Sequence, residues 1–411
     1  MTSAQPGGNP PPGNPPEGNR PGSNRPGDAE TAPPEDASAF RLLPAIQSWT
    51  VPVGSVVVAP PAFATQRVFL PLEQDQIAAY DALTGKRAWV AKGHPMSMPA
   101  VGDGLLFLAE PNAVTALDQS SGATAWRLPL PEPLAAPLVW DNGWLIGATD
   151  SGSILALRAT DGELIWRREL DVALHATPAL AADRVYVPVE DNRLVALKVD
   201  TGETLWERRL DGAPNEMLAL DDRIYIGSND NFFYCIEADD GSVAWRWRTG
   251  GDVIGVPVVD EQRVYFVSLD NVLRGLDRRS GAQRWHRPLP SRPTRGPVRA
   301  GDLLLVSGLP AKIPAFAIKD GAPAGDLEAG GELIGAPYIV PFAGPLIQAV
   351  LVSRDLEEGT RLSAFRRKIE PDLRRLANLP NPIRIARPAS SFPSLPNPIV
   401  IPPPPLRPRS N

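Results

Sequence analysis

Between residues 41 and 368 one hydrophobic pattern returns at intervals near 40 residues. The fourth copy shows its form. An apolar Pro178-Ala-Leu180 is followed by a turn at Ala182-Asp183, a run Arg184 to Pro188, a turn at Asp191-Asn192, a run Arg193 to Leu197, and Asp200-Thr-Gly202 leading into Glu203 to Trp206. Runs of four to six residues, rich in β-branched and aromatic side chains and bounded by polar turns, predict strands. Helices would need apolar residues spaced by three and four. Each copy therefore predicts a four-stranded antiparallel meander. Such a sheet alone leaves an apolar face uncovered, so neighbouring sheets must stack, and radial stacking gives a β-propeller.

The phase is carried by tryptophan. Trp49, Trp89, Trp126, Trp166, Trp206, Trp245 and Trp285 are separated by 40, 37, 40, 40, 39 and 40 residues, and all but Trp49 have a glycine four positions earlier (Gly85, Gly122, Gly162, Gly202, Gly241, Gly281). The next copy keeps Gly321 but has Gly325 where the ring would stand. An eighth set of strands, Pro337 to Val340, Leu346 to Ser353 and Thr360 to Arg366, places Ala364 at the small position of the motif and then stops, with Pro371 and Arg374 in place of a fourth strand. The missing strand is available at Arg41 to Val53, which carries the orphan Trp49 in the right phase. The expected fold is thus all-β: a single eight-bladed propeller over residues 41–368, closed by an N-terminal strand so that no edge stays open.

The repeated text Ala79-Tyr-Asp81-Ala-Leu-Thr-Gly85-Lys-Arg-Ala-Trp89, echoed at Ala116 to Trp126 and Ala196 to Trp206, resembles the tryptophan-docking repeat of the pyrroloquinoline-quinone (PQQ) type propellers. The Gly-His and Trp-Asp pairs of WD-type repeats do not recur. The resemblance implies that the tryptophans are structural, docking between blades, and that Cys235, at the small position of its copy, is a buried small residue. Related quinoprotein dehydrogenases hold a quinone and a calcium ion above the ring, with acidic and amide ligands, an adjacent-cysteine disulfide and long inserted loops. This chain has one cysteine and short, uniform connections. Its layout is nearer to the non-enzymatic propeller lipoproteins of the outer-membrane β-barrel assembly machinery, although their lipobox cysteine is not in the chain as written. That resemblance implies protein–protein contacts through blade-edge loops, no cofactor and no catalysis. A PQQ-dependent oxidoreductase and a structural or adhesive envelope protein are the alternatives.

In this architecture the segment from each tryptophan to the next strand-leading proline approaches the channel mouth. Only Met96, His175, Asn215, Glu216 and Arg295 bring polarity or special chemistry there, and a His, a Glu and an Arg from different blades could converge on a small anion or acid. With one cysteine and three histidines, no metal cluster is expected. The formal net charge of −6 argues against nucleic acid, and no apolar run reaches membrane-spanning length.

Pro and Gly together make up about a fifth of the chain, and they crowd its ends. Residues 1–40 hold ten prolines and no large aliphatic or aromatic residue from Thr2 to Ser38, so this segment is expected to stay disordered. Residues 369–411 are read as an extended Pro-rich tail with two copies of a pentapeptide, Leu379 to Ile383 and Leu395 to Ile399. From Arg366 onward the charge is +7, against −13 for the rest, which suits contact with an acidic partner or surface. The chain as given reads as cytoplasmic by default. If the true start lies upstream, Thr2-Ser3-Ala4 before Gln5 suits the end of a signal peptide, and the family then implies the periplasm or cell envelope.

Overall fold

A computed structural model describes residues 42–342 and 346–368. The N-terminal segment before these residues, the Pro-rich tail and both pentapeptide copies lie outside them. The described residues contain strands and turns and no helix, so no helix is long and apolar enough to cross a membrane. They form eight antiparallel sheets, the blades of a propeller. Blade 1 runs Ala62–Ala64, Arg67–Leu72, Gln76–Asp81 and Arg87–Lys92 from the innermost strand outward. Blades 2 to 7 repeat that order over 100–129, 139–169, 179–209, 214–248, 253–288 and 298–328.

Blade 8 closes the ring as the tryptophan phase predicts. Ala45–Pro52 pairs with Gly359–Arg367, which pairs with Leu346–Asp355, and that strand pairs with both Tyr338–Phe342 and the short Glu332–Leu333. Trp49 stands opposite Ala364, the register that Trp206 keeps with Ala196 in blade 4. The buried apolar residues divide into eight clusters, each shared by two neighbouring blades. That division explains the hydrophobic pattern. Second and third strands have both faces against neighbours and are apolar almost throughout, whereas fourth strands such as Thr204–Arg209 alternate because one face meets water.

The small residue of the motif has a steric cause. In blade 4 Tyr186, Ala196 and Trp206 lie side by side across three strands, with the Tyr186 and Trp206 rings 5.9 Å apart on either side of the alanine. A large residue between them would push both rings away. Cys235 fills this place in blade 5, fully buried, and burial pushes its thiol up to about 11, which leaves it inert.

Each docked tryptophan reaches into the following blade. The indole N–H of Trp49 donates to the Leu83 carbonyl at 2.7 Å, that of Trp166 to Val199 at 2.7 Å and that of Trp285 to Ile318 at 3.2 Å. The ring itself lies against the glycine of that next blade. A Cβ on Gly202, whose φ is 69°, would stand 2.7 Å from Trp166 Cε3. The glycine is therefore required twice, for the left-handed turn and as the landing surface for the preceding blade's ring.

Candidate functional site

Strands in a meander alternate in direction, so the connectors between blades and the turns joining second to third strands share one face of the ring. Hydrogen bonds confirm the pairing. Backbone N–H groups at the connector starts donate to carbonyls in those turns, Leu130 to Asn112, Leu170 to Gly152 and Leu210 to Asn192, each at 2.8 Å. A second device repeats the tie. Glu73, Glu110, Asp150 and Glu190 stand three residues before the third strand in blades 1 to 4, Asp230 and Asp270 two residues before it in blades 5 and 6, and four of the six hold the connector leading into their own blade. Glu73 accepts from the backbone N–H of Val56 at 3.5 Å, Glu110 from that of His94 at 3.1 Å, Glu190 pairs with His175, and Asp270 accepts from Gly250 at 2.9 Å. In blade 7 the corresponding turn is Gly308-Leu309-Pro310, with no acid.

The five residues singled out in the sequence fall into three places. His175 bridges two turns, with Nδ1 on Glu190 and Nε2 2.8 Å from Asp150. The hydrogen bond to Glu190 raises its pKa against the desolvation cost, with the Glu190 charge and then the Asp150 hydrogen bond and charge adding to the rise. Both ring nitrogens are committed, so His175 acts as an imidazolium clasp between blades 3 and 4 and has no ring nitrogen to offer a metal. Asn215 lines the same cavity as His175, about 450 Å³ in volume, and donates to the Val253 carbonyl at 3.0 Å, linking blades 5 and 6. Glu216 and Arg295 approach each other near the ring axis. Arg295 donates to the Ile334 carbonyl at 2.9 Å, linking blades 7 and 8. The Glu216 surface meets solvent, yet protein surrounds it closely, and the resulting desolvation raises its pKa despite the Gly255 N–H and the Arg295 guanidinium. Met96 stands apart from these four, in a cavity of about 380 Å³ shared with Val58.

Sequence reasoning missed the partners Asp150 and Glu190. The signal was present, since Glu73, Glu110, Asp150 and Glu190 each stand sixteen residues before the tryptophan of their copy.

A hard dication such as calcium takes six to eight oxygen ligands. Around the axis the one carboxylate among the residues singled out, Glu216, is shifted toward its neutral form, with a guanidinium nearby, and the Asn215 amide is turned to a neighbouring backbone. This donor set does not fit a quinone–calcium centre. The face also presents large apolar side chains. Val56, Val58, Met96, Met98, Val256, Leu309 and Leu356 are exposed on it, Leu309 at 71% and Leu356 fully. Apart from Val256 they lie on blades 7, 8, 1 and 2 and the connectors between them.

Against known families, residues 46–114, 110–220 and 218–332 match the PQQ-like repeat model described as outer membrane protein assembly factor BamB. The chain belongs to this family. No curated protein matches it at a significant level. Among solved structures, BamB from Moraxella catarrhalis is 18% identical, with 78% of this chain and 99% of that one covered at a TM-score of 0.63. The quinohemoprotein alcohol dehydrogenase of Comamonas testosteroni is 12% identical over 81% of this chain and 78% of that one, TM-score 0.66. Sqt1 of Saccharomyces cerevisiae is 13% identical over 76% and 97%, TM-score 0.65. At such identities the likeness is one of fold, and the solved structures that share it include both BamB and an alcohol dehydrogenase.

Proposed function

We propose that this chain is a non-catalytic scaffold that binds another protein through its connector face, in the assembly of envelope or outer-membrane proteins. The observation that carries the proposal is the set of exposed large apolar side chains on that face, Leu309, Leu356, Val58 and Met96 foremost. Apolar groups gathered on one surface of a water-facing ring cost solvation unless a partner covers them. The family description as an assembly factor supports the same reading.

The test has two arms. Immobilised protein should retain a defined partner from an envelope extract, and changing Val58, Met96, Leu309 and Leu356 together to Asp should abolish retention. Leu220→Asp, at the end of the first strand of blade 5 toward the opposite face, should leave it intact. Incubation with PQQ and calcium, then a quinone absorbance measurement on the washed protein and a dye-linked alcohol oxidation assay, should give nothing. Cofactor retention together with turnover would replace the scaffold reading with that of an oxidoreductase.

A further inference from the structure

The cavity shared by Val58 and Met96 sets exposed apolar side chains beside carboxylates. Its lining is half apolar, Val58, Leu72, Pro95 and Met96, and half polar, Glu73, Gln74, Asp75 and His94. At about 380 Å³ it has room for one large side chain with part of the adjoining backbone. Val58 is 56% exposed and Met96 55%, so both present apolar surface to whatever enters.

The backbone beside the cavity is already engaged. Val58 N–H donates to the Pro71 carbonyl at 3.0 Å, Glu73 N–H to Val56 at 3.0 Å, and Met96 N–H to Ala109 at 2.8 Å. A guest cannot add itself here as a further strand, and recognition must come from side chains. Asp75 pairs with His94, while among the described residues Glu73 accepts only long hydrogen bonds, 3.3 Å from Ser55 Oγ and 3.5 Å from the Val56 N–H. Glu73 therefore keeps negative charge next to the apolar part of the lining.

We infer that this cavity is the docking point for an extended segment of a partner protein that inserts a large apolar side chain between Val58 and Met96 and sets a Lys or Arg within two residues of it against Glu73 and Asp75. The inference rests on the scaffold reading and narrows it to one cavity and one partner chemistry. The apolar contact supplies affinity, and the charge pair selects basic over acidic segments.

A random heptapeptide library displayed on phage, panned against the whole protein, tests it. The enriched peptides should join Leu, Ile, Met or Phe to a neighbouring Lys or Arg. Val58→Asp/Met96→Asp should lower their recovery about tenfold or more. Glu73→Gln/Asp75→Asn should keep apolar enrichment while removing the basic requirement. Thermal melting of each variant, and the single Met96→Asp change, guards against a folding defect. No enrichment, enrichment without basic residues, or recovery indifferent to both double variants would overturn the assignment. If the envelope partner of the scaffold reading is still retained by Val58→Asp/Met96→Asp, the scaffold stands and this cavity is not its docking point.

Discussion

Seven junctions between blades are built alike and the eighth is not. Where blade 3 meets blade 4, Trp166 lies against Gly202 and donates to the Val199 carbonyl. Where blade 7 meets blade 8, Gly325 replaces the tryptophan, and there is no turn to receive a ring, because the third strand of blade 8 ends at Arg367 and its fourth begins at Ala45. Leu42, fully buried, joins Leu327, Leu333 and Phe365 in the core there, and a Cβ on Gly325 would stand 3.3 Å from Leu43 Cδ1. The difference teaches that tryptophan and glycine are selected as a pair across a junction. Where closure by two chain ends removes the glycine turn, the tryptophan goes with it, and residues just ahead of the closing strand fill the space.

The largest effect that can break this comparison is removal of residues 42–53. That change opens the ring at blade 8, bares the edge of Gly359–Arg367 and should give aggregation with no cooperative melt. A soluble deletion protein of unchanged stability would contradict closure. Next comes the pair itself. Trp166→Ala and Gly202→Ala should each cost about 3 kcal/mol, the first from a lost ring, the second from left-handed strain together with displacement of that ring. Their effects should be far from additive in a double-mutant cycle, read by chemical denaturation, because they act on one contact.

At the odd junction Leu42→Ala should cost about 2 kcal/mol. Gly325→Trp should bring no gain in denaturation midpoint, since no glycine turn waits for it. A clear gain would show that blade 8 does offer a landing site. The smallest effect concerns the clasp on the connector face. His175 has a raised pKa in the folded protein, so its contribution is fully present below the unfolded value near 6.5 and fades as pH rises through the folded value. The stability difference between the protein and His175→Asn should be larger at pH 5.5 than at pH 9. Because the side chain is 52% exposed, solvent screening holds it to about 0.5 kcal/mol, and less in high salt.

Much of the ring was readable from the sequence, because a propeller blade is a short-range object. The Trp49 phase, the Asp-to-Gly turns and the early end of the eighth set sufficed to predict the closing strand, and the structure adds its register, Trp49 opposite Ala364. The contacts that cross a junction were less readable. Nothing in the text says that Gly202 serves Trp166 rather than its own Trp206, since the two residues belong to different copies of the motif. The site was legible only as positions. Glu216 and Arg295 were placed near the axis, but their electrostatic contact depends on how two alternate blades lean inward. His175 was read without its two acids, although their 40-residue recurrence was in view. Val58 was passed over because a valine two places before a strand-leading proline looks like core until its exposure is known.

Closure by the N-terminal strand is the claim on which the junctions and the binding face both depend, and a cysteine pair tests it most directly. Thr50 and Ser363 face each other across the two chain ends, with their hydroxyl oxygens 2.8 Å apart, and the native Cys235 is buried away from oxidant. In Thr50→Cys/Ser363→Cys, mild oxidation of the folded protein followed by mass spectrometry of its peptides should show a disulfide joining residues 50 and 363 in nearly every molecule, with a raised denaturation midpoint. If the two thiols stay reduced in the native protein, or link only after unfolding, the N-terminal strand does not close the ring.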